Sequence, residues 1–169
     1  MNTSIYTAEK MSSFREIIRV SDIIIIDTCS LLHRAFWELV VCQGAQMVSA
    51  HRKFYVLKSA VTELEKLTVT GDCTLRNNAE NALSRLRDLI TCGLAVVTGK
   101  IDNAAINDEQ IIEYTIRYRT VKRIAVVTQD NNLAIDLLNI NRLKSFEGNE
   151  VMLFGWNKNN ILCRRFAAA

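Results

Sequence analysis

Residues 23–30 read Ile-Ile-Ile-Ile-Asp-Thr-Cys-Ser. Four β-branched residues in succession suit a strand buried on both faces, as at the centre of a parallel sheet. The run stops at a carboxylate, Asp27. A helical pattern follows it, with Leu31, Leu32, Ala35, Phe36, Leu39 and Val40 on one face. Asp27 therefore stands where a central strand ends and a helix begins. In open α/β sheets that carboxyl edge is where ligands bind. An acid there is either a helix N-cap or part of a site.

The same alternation continues outward. Strands are predicted at residues 54–57, 94–98, 124–128 and 151–154. Between them lie helical patterns at residues 60–67, 75–92, from Asp108 onward and 133–139. Gly93 ends the second of these. Ahead of the first strand, residues 7–20 form an amphipathic helix with Met11, Phe14, Ile17 and Ile18 on one face. It is expected on the domain flank. Strands alternating with helices argue for an α/β fold with a mainly parallel sheet covered on both faces. The predicted organisation is an N-terminal helical extension at 1–20, one domain at 21–156 and a tail at 157–169 without periodicity.

Composition narrows the class. One domain is the default for 169 residues, and 49% apolar residues with mean hydropathy +0.07 supply a sizeable core. No apolar run approaches the roughly 20 residues that span a bilayer. The polar start lacks a signal-peptide pattern, so a cytoplasmic protein is expected. The five cysteines are odd in number and form no Cys-x-x-Cys pair. That argues against a disulfide framework or zinc site and for reduced, mostly buried thiols. Net charge +3 permits nucleic-acid binding without arguing for it strongly. There is no Walker-type loop and no GxGxxG.

Four acids occupy comparable places: Asp27, Glu63, Asp108 and Asp130. Three follow strands closely and one opens a helix. Right-handed crossovers put all parallel strand ends on one edge, where the four can meet. Each alone is explained by helix capping, worth about 0.5–2 kcal/mol. Four at matching places weaken that explanation. Clustered carboxylates repel one another and need a cation. Hard oxygen ligands with spare water positions select Mg²⁺ or Mn²⁺.

The stretches IIIIDTCSLL, VLKSAVTELEKL, INDEQII and IAVVTQDNNLA resemble the PIN-domain nucleases, in that family's order and over roughly residues 23–154. The loop-helix RNNAENALSRL is similar to PhoH-associated PIN domains. Motif order alone is similar to VapC-type toxins. The resemblance implies a three-layer α/β/α sandwich and a metal-dependent endoribonuclease acting on single-stranded RNA. By motif position Asp27, Glu63, Asp108 and Asp130 match the four acids. Thr28 and Ser30 match the small polar positions after the first, and Thr128 the hydroxyl before the fourth. Asn132 stands where many members carry a further acid, which lowers the local charge. Lys58 and Ser59 replace a turn often containing proline.

On this reading Asp27, Asp108 and Asp130 hold one or two Mg²⁺ or Mn²⁺ ions, directly or through water. Glu63 completes the shell or orients the attacking water. Arg34, Arg52, Lys53, Lys58 and Arg76 are candidates to hold RNA phosphates, each being equally a solvated surface charge. Trp37, Tyr55 and Trp156 are candidates to stack on bases or to fill the core. Alternative readings are a toxin or defence effector silenced by an inhibitor protein, and a non-catalytic RNA-binding scaffold. A homodimer through the N-terminal helix is a further expectation.

Overall fold

A computed structural model describes residues 14–99, 107–143 and 148–165. The start of the predicted N-terminal helix, with Met11, lies outside them, as does most of the loop before Asp108.

The chain runs α1 (Phe14–Val20), β1 (Ile23–Ile26), α2 (Thr28–Leu31), α3 (Arg34–Ser49), β2 (Phe54–Leu57), α4 (Lys58–Thr70), α5 (Cys73–Thr91), β3 (Ala95–Thr98), α6 (Asn107–Tyr118), β4 (Ile124–Val127), α7 (Asn131–Arg142), β5 (Met152–Trp156) and β6 (Leu162–Arg165). The six strands form one sheet in the order β3-β2-β1-β4-β5-β6. The first five are parallel, and β6 returns antiparallel to β5. After β3 the chain crosses to the far side of β1, so β1 and β4 are neighbours at the point where the winding reverses. In open α/β sheets that reversal point, outside the strand ends, is where ligands bind.

All four isoleucines of β1 are buried, two on each face. Ile24 and Ile26 join a core with Phe14, Ile17, Phe36, Phe54, Leu64 and Leu86. Ile23 and Ile25 join the other, with Ile111, Leu133, Leu137 and Ile140. Helices α1, α3, α4 and α5 thus cover one face and α6 and α7 the other, giving three layers. Each fully buried isoleucine contributes about 1.5–3 kcal/mol relative to exposure.

Two details depart from the sequence reading, and α1 packs on the core. The helix after Asp27 is two helices, α2 and α3, separated at Leu32 and His33. His33 caps α3, its Nδ1 accepting from Ala35 N at 3.3 Å. The predicted tail instead supplies β6. Asn160 there adopts a left-handed φ of 58°, and Asn157 Oδ1 accepts from the backbone N of Asn159 and Ile161. Asparagine tolerates that conformation, so Asn157–Asn160 form a hairpin turn. The apolar face of α1 is buried: Phe14 stacks on Phe54 with ring centroids 6.0 Å apart, and Ile17 and Ile18 are in the core. These residues are not available for a dimer contact.

Candidate functional site

Asp27 follows β1 at the reversal point and is only 3% exposed. Burial of an ionised carboxylate requires compensating donors. Four are present. Oδ1 accepts from Thr28 N and Asn107 Nδ2, both at 2.7 Å. Oδ2 accepts from Thr128 Oγ1 at 2.7 Å and from the Cys29 thiol at 2.8 Å. The cap and the site are therefore one arrangement, since the Thr28 bond also caps α2.

The network extends both ways. Thr28 Oγ1 donates to Glu63 Oε2 at 2.6 Å and accepts from Asn107 Nδ2 at 3.2 Å. Ser59 Oγ donates to Asn107 Oδ1 at 2.8 Å, which orients the amide so that its nitrogen faces Asp27. On the other side Thr128 Oγ1 accepts from Asp130 N at 2.9 Å. Hydrogen bonds thus run from Glu63 on α4, through Thr28, Asn107, Asp27 and Thr128, to Asp130 before α7.

Asp130 caps α7, its Oδ1 accepting from Asn132 N at 2.6 Å and Leu133 N at 3.1 Å. Oδ2 takes part in neither bond. Asn132 contributes its backbone to this cap, and its side chain is exposed. Ser30 is fully buried and donates to Val127 O at 3.0 Å, so it ties α2 to β4.

Asp108 lies in the first turn of α6. Its carboxyl is pushed up to about 6, first by burial and then by the charges of Asp27, Asp130, Glu63 and Asp136. The four expected acids therefore share one electrostatic neighbourhood, drawn from four separate stretches of chain. The Cys29 thiol is pushed up to about 11 by burial, the Asp27 charge and its bond to Asp27.

The atoms that would ligate a cation here are carboxylate oxygens, which suits Mg²⁺ or Mn²⁺. Among the described residues, no three His, Cys, Asp or Glu side chains gather closely enough to hold a metal ion as they stand. The expected direct set of Asp27, Asp108 and Asp130 is thus not assembled. Asp27 already has a donor for each of its roughly four lone-pair sites. A cation held by one or two carboxylates and retaining several waters fits this arrangement, as Mg²⁺ commonly is.

The five expected phosphate contacts separate. Lys58 opens α4 directly after β2, and Arg34 opens α3, so both begin elements near the acidic edge. The Arg34 side chain is 90% exposed and pairs with Glu38 at 2.7 Å. Arg52 and Lys53 precede β2, at the amino edge, opposite the acids. Arg52 donates to Ile18 O at 3.2 Å and faces Asp22 at 3.7 Å. Arg76 follows the turn of the α4–α5 hairpin and donates to Gly71 O at 3.2 Å. That turn is eight residues beyond Glu63, about 12 Å along a helix.

The aromatic candidates separate too. Trp37 is buried and donates to Leu31 O at 2.8 Å. Tyr55 packs against the second core. Trp156 is half-buried and stacks on His33, with ring centroids 5.7 Å apart.

Sequence reasoning passed over four residues: Cys29, Ser59, Asn107 and Arg165. Asn107 carried a signal, being a capping residue beside Asp108 at a helix start. Ser59 lies in the first turn of α4, not in a separate turn. Cys29 was set aside by counting cysteines. Counting also misjudged burial, since Cys42, Cys73 and Cys92 are exposed and Cys29 and Cys163 half-buried.

No protein-family model and no curated protein matches the sequence. Among solved structures, the chain is similar to the PIN domain endonuclease Utp24 at a TM-score of 0.54 and 17% identity. The match covers 86% of this chain and 93% of that one. With five parallel strands, helices on both faces and acids at the reversal point, the chain carries a PIN-domain fold.

Proposed function

We propose that the protein is a metal-dependent endoribonuclease, hydrolysing phosphodiester bonds of single-stranded RNA at the carboxyl edge of β1 and β4. One observation carries this reading. Hydrogen bonds link Glu63, Asp27 and Asp130 through Thr28, Asn107 and Thr128, and Asp108 follows Asn107 at the start of α6. Capping accounts for Asp130 and partly for Asp27. It does not account for bringing Glu63 and Asp108 beside them against mutual repulsion.

A Mg²⁺ or Mn²⁺ ion held by these carboxylates would offset that repulsion and would supply water activation and charge stabilisation for phosphodiester hydrolysis. Asp108 and Asp130 are the ligands with an approachable side chain. Asp27 anchors the site from below, through Thr28, Asn107, Thr128 and Cys29. Glu63, held by Thr28, is placed to orient the attacking water. Arg34 and Lys58 receive phosphates of the strand. Reduced cysteines fit a cytoplasmic setting.

The test is cleavage of a labelled single-stranded RNA with Mn²⁺, with EDTA and with Asp27→Asn, beside the same strand as DNA. The expected result is RNA cleavage that needs both the metal and Asp27. Cleavage that survives EDTA, or full activity in Asp27→Asn, overturns the proposal. Preferential cutting of the DNA strand moves the substrate class.

A further inference from the structure

Arg165 is a buried arginine on the edge strand β6, in a stretch with no sequence motif. Its Nη1 donates to Thr128 O at 2.9 Å and Asp130 O at 3.2 Å, and its Nη2 to Asn131 Oδ1 at 2.7 Å. One guanidinium thus holds three successive points of the turn that joins β4 to α7. The same turn carries Thr128, which donates to Asp27, and Asp130.

The side chain reaches this turn by crossing β5. Arg165 pairs with Leu153 in the antiparallel register, and Gly155 is its diagonal neighbour on the same face. A Cβ at Gly155 would stand 2.9 Å from Thr128 O, 3.1 Å from Arg165 Cδ and 3.3 Å from Arg165 Nε. Any side chain there would occupy the path. Glycine is needed for the passage, and its φ is not among the positive ones.

We propose that Arg165, passing over Gly155, is a positioning residue that sets the placement of Asp130 relative to Asp27, and with it the affinity of the acidic edge for a divalent cation. The planar fork of arginine suits this role, because it can bind two carbonyls and an amide at fixed angles. A lysine retains the charge but not the fork. The inference deepens the nuclease reading and rests on it for the cation. The placement of the turn is independent of that reading.

The experiment uses the full chain with Mn²⁺ as the probe, read by the electron paramagnetic resonance of free Mn²⁺. Amide hydrogen exchange of residues 128–132 is measured in parallel. Arg165→Ala and Gly155→Ala should each weaken Mn²⁺ binding about tenfold, the usual effect of removing a partner behind a metal ligand. Arg165→Lys should fall between wild type and Arg165→Ala. Exchange at 128–132 should accelerate in the variants while β1 stays protected. Unchanged exchange at the turn, or wild-type Mn²⁺ affinity in Arg165→Ala, overturns the proposal. If the wild-type protein binds no Mn²⁺, the cation reading fails, and the exchange result alone decides whether Arg165 places the turn.

Discussion

The hydroxyl of Thr128 donates to Asp27 Oδ2 at 2.7 Å, joining residues 101 positions apart at the ends of two adjacent strands. The same oxygen accepts from Asp130 N at 2.9 Å. Thr128→Val retains the shape and removes both bonds. Leaving a buried acceptor and donor short costs about 1–3 kcal/mol. Urea unfolding should show a lowered midpoint with an unchanged slope, and RNA cleavage should fall. A wild-type midpoint would show that neither bond stabilises the fold.

Asp27→Asn should keep its fold. The amide oxygen can take the place of Oδ1, facing Thr28 N and Asn107 Nδ2. The new NH₂ then faces Thr128 Oγ1 and Cys29 Sγ, which can both accept as well as donate. The loss of cleavage expected in this variant is therefore attributable to charge. Circular dichroism and the unfolding midpoint check it, and a collapsed midpoint would make the variant useless as a chemical probe.

Asp108 gives the metal-free protein a pH dependence of definite sign. Its folded-state carboxyl sits at about 6, above the usual 3.8. A raised carboxyl favours the folded state below about 4, and that advantage disappears as pH rises through about 6. In EDTA, wild type should lose stability relative to Asp108→Asn between pH 4 and pH 7. Parallel unfolding curves at the two pH values measure the difference. Mn²⁺ should reduce the loss in wild type only, since it stabilises the ionised form.

The cysteines should differ in reactivity. The thiolate is the nucleophile, and Cys29 is held protonated with its thiol pushed up to about 11. Cys42, Cys73 and Cys92 are exposed. Iodoacetamide at neutral pH should modify these three while Cys29 stays intact until the protein is unfolded, as mass spectrometry of the digested chain would reveal. Modification of Cys29 at the rate of the exposed thiols would mean that the bonds around Asp27 open readily.

Charge reversal at Arg34 and Lys58 tests the path of the RNA. The Arg34–Glu38 pair is exposed and worth little, so Arg34 can exchange it for a phosphate. Each lost phosphate contact should flatten the salt dependence of single-strand binding by about 0.7 in the logarithmic slope. The same reversal at Arg52, on the opposite edge, should leave the slope unchanged. Equal effects at all three positions would indicate long-range attraction without defined contacts.

Local sequence was enough for the layered α/β fold, the five parallel strands and the strand ends that Asp27 and Asp130 follow. These are local properties: β-branched runs, a 3.6-residue period and an acid directly after a strand. That parallel strands put their carboxyl ends on one edge was also legible, and with it the expectation that the four acids lie there. The partners around each acid depend on tertiary packing. The Asp27 contacts with Asn107 and Thr128, the Thr28 bond to Glu63 and the grip of Arg165 on Thr128 and Asp130 join residues 35 to 101 positions apart. No local pattern encodes such pairs. β6 escaped for a related reason: Leu162–Arg165 contains no β-branched residue, and its pairing depends on a turn of asparagines. The basic residues divided between the two edges, Arg52 and Lys53 preceding β2 and Lys58 following it. A charge's position before or after a strand determines which edge it reaches.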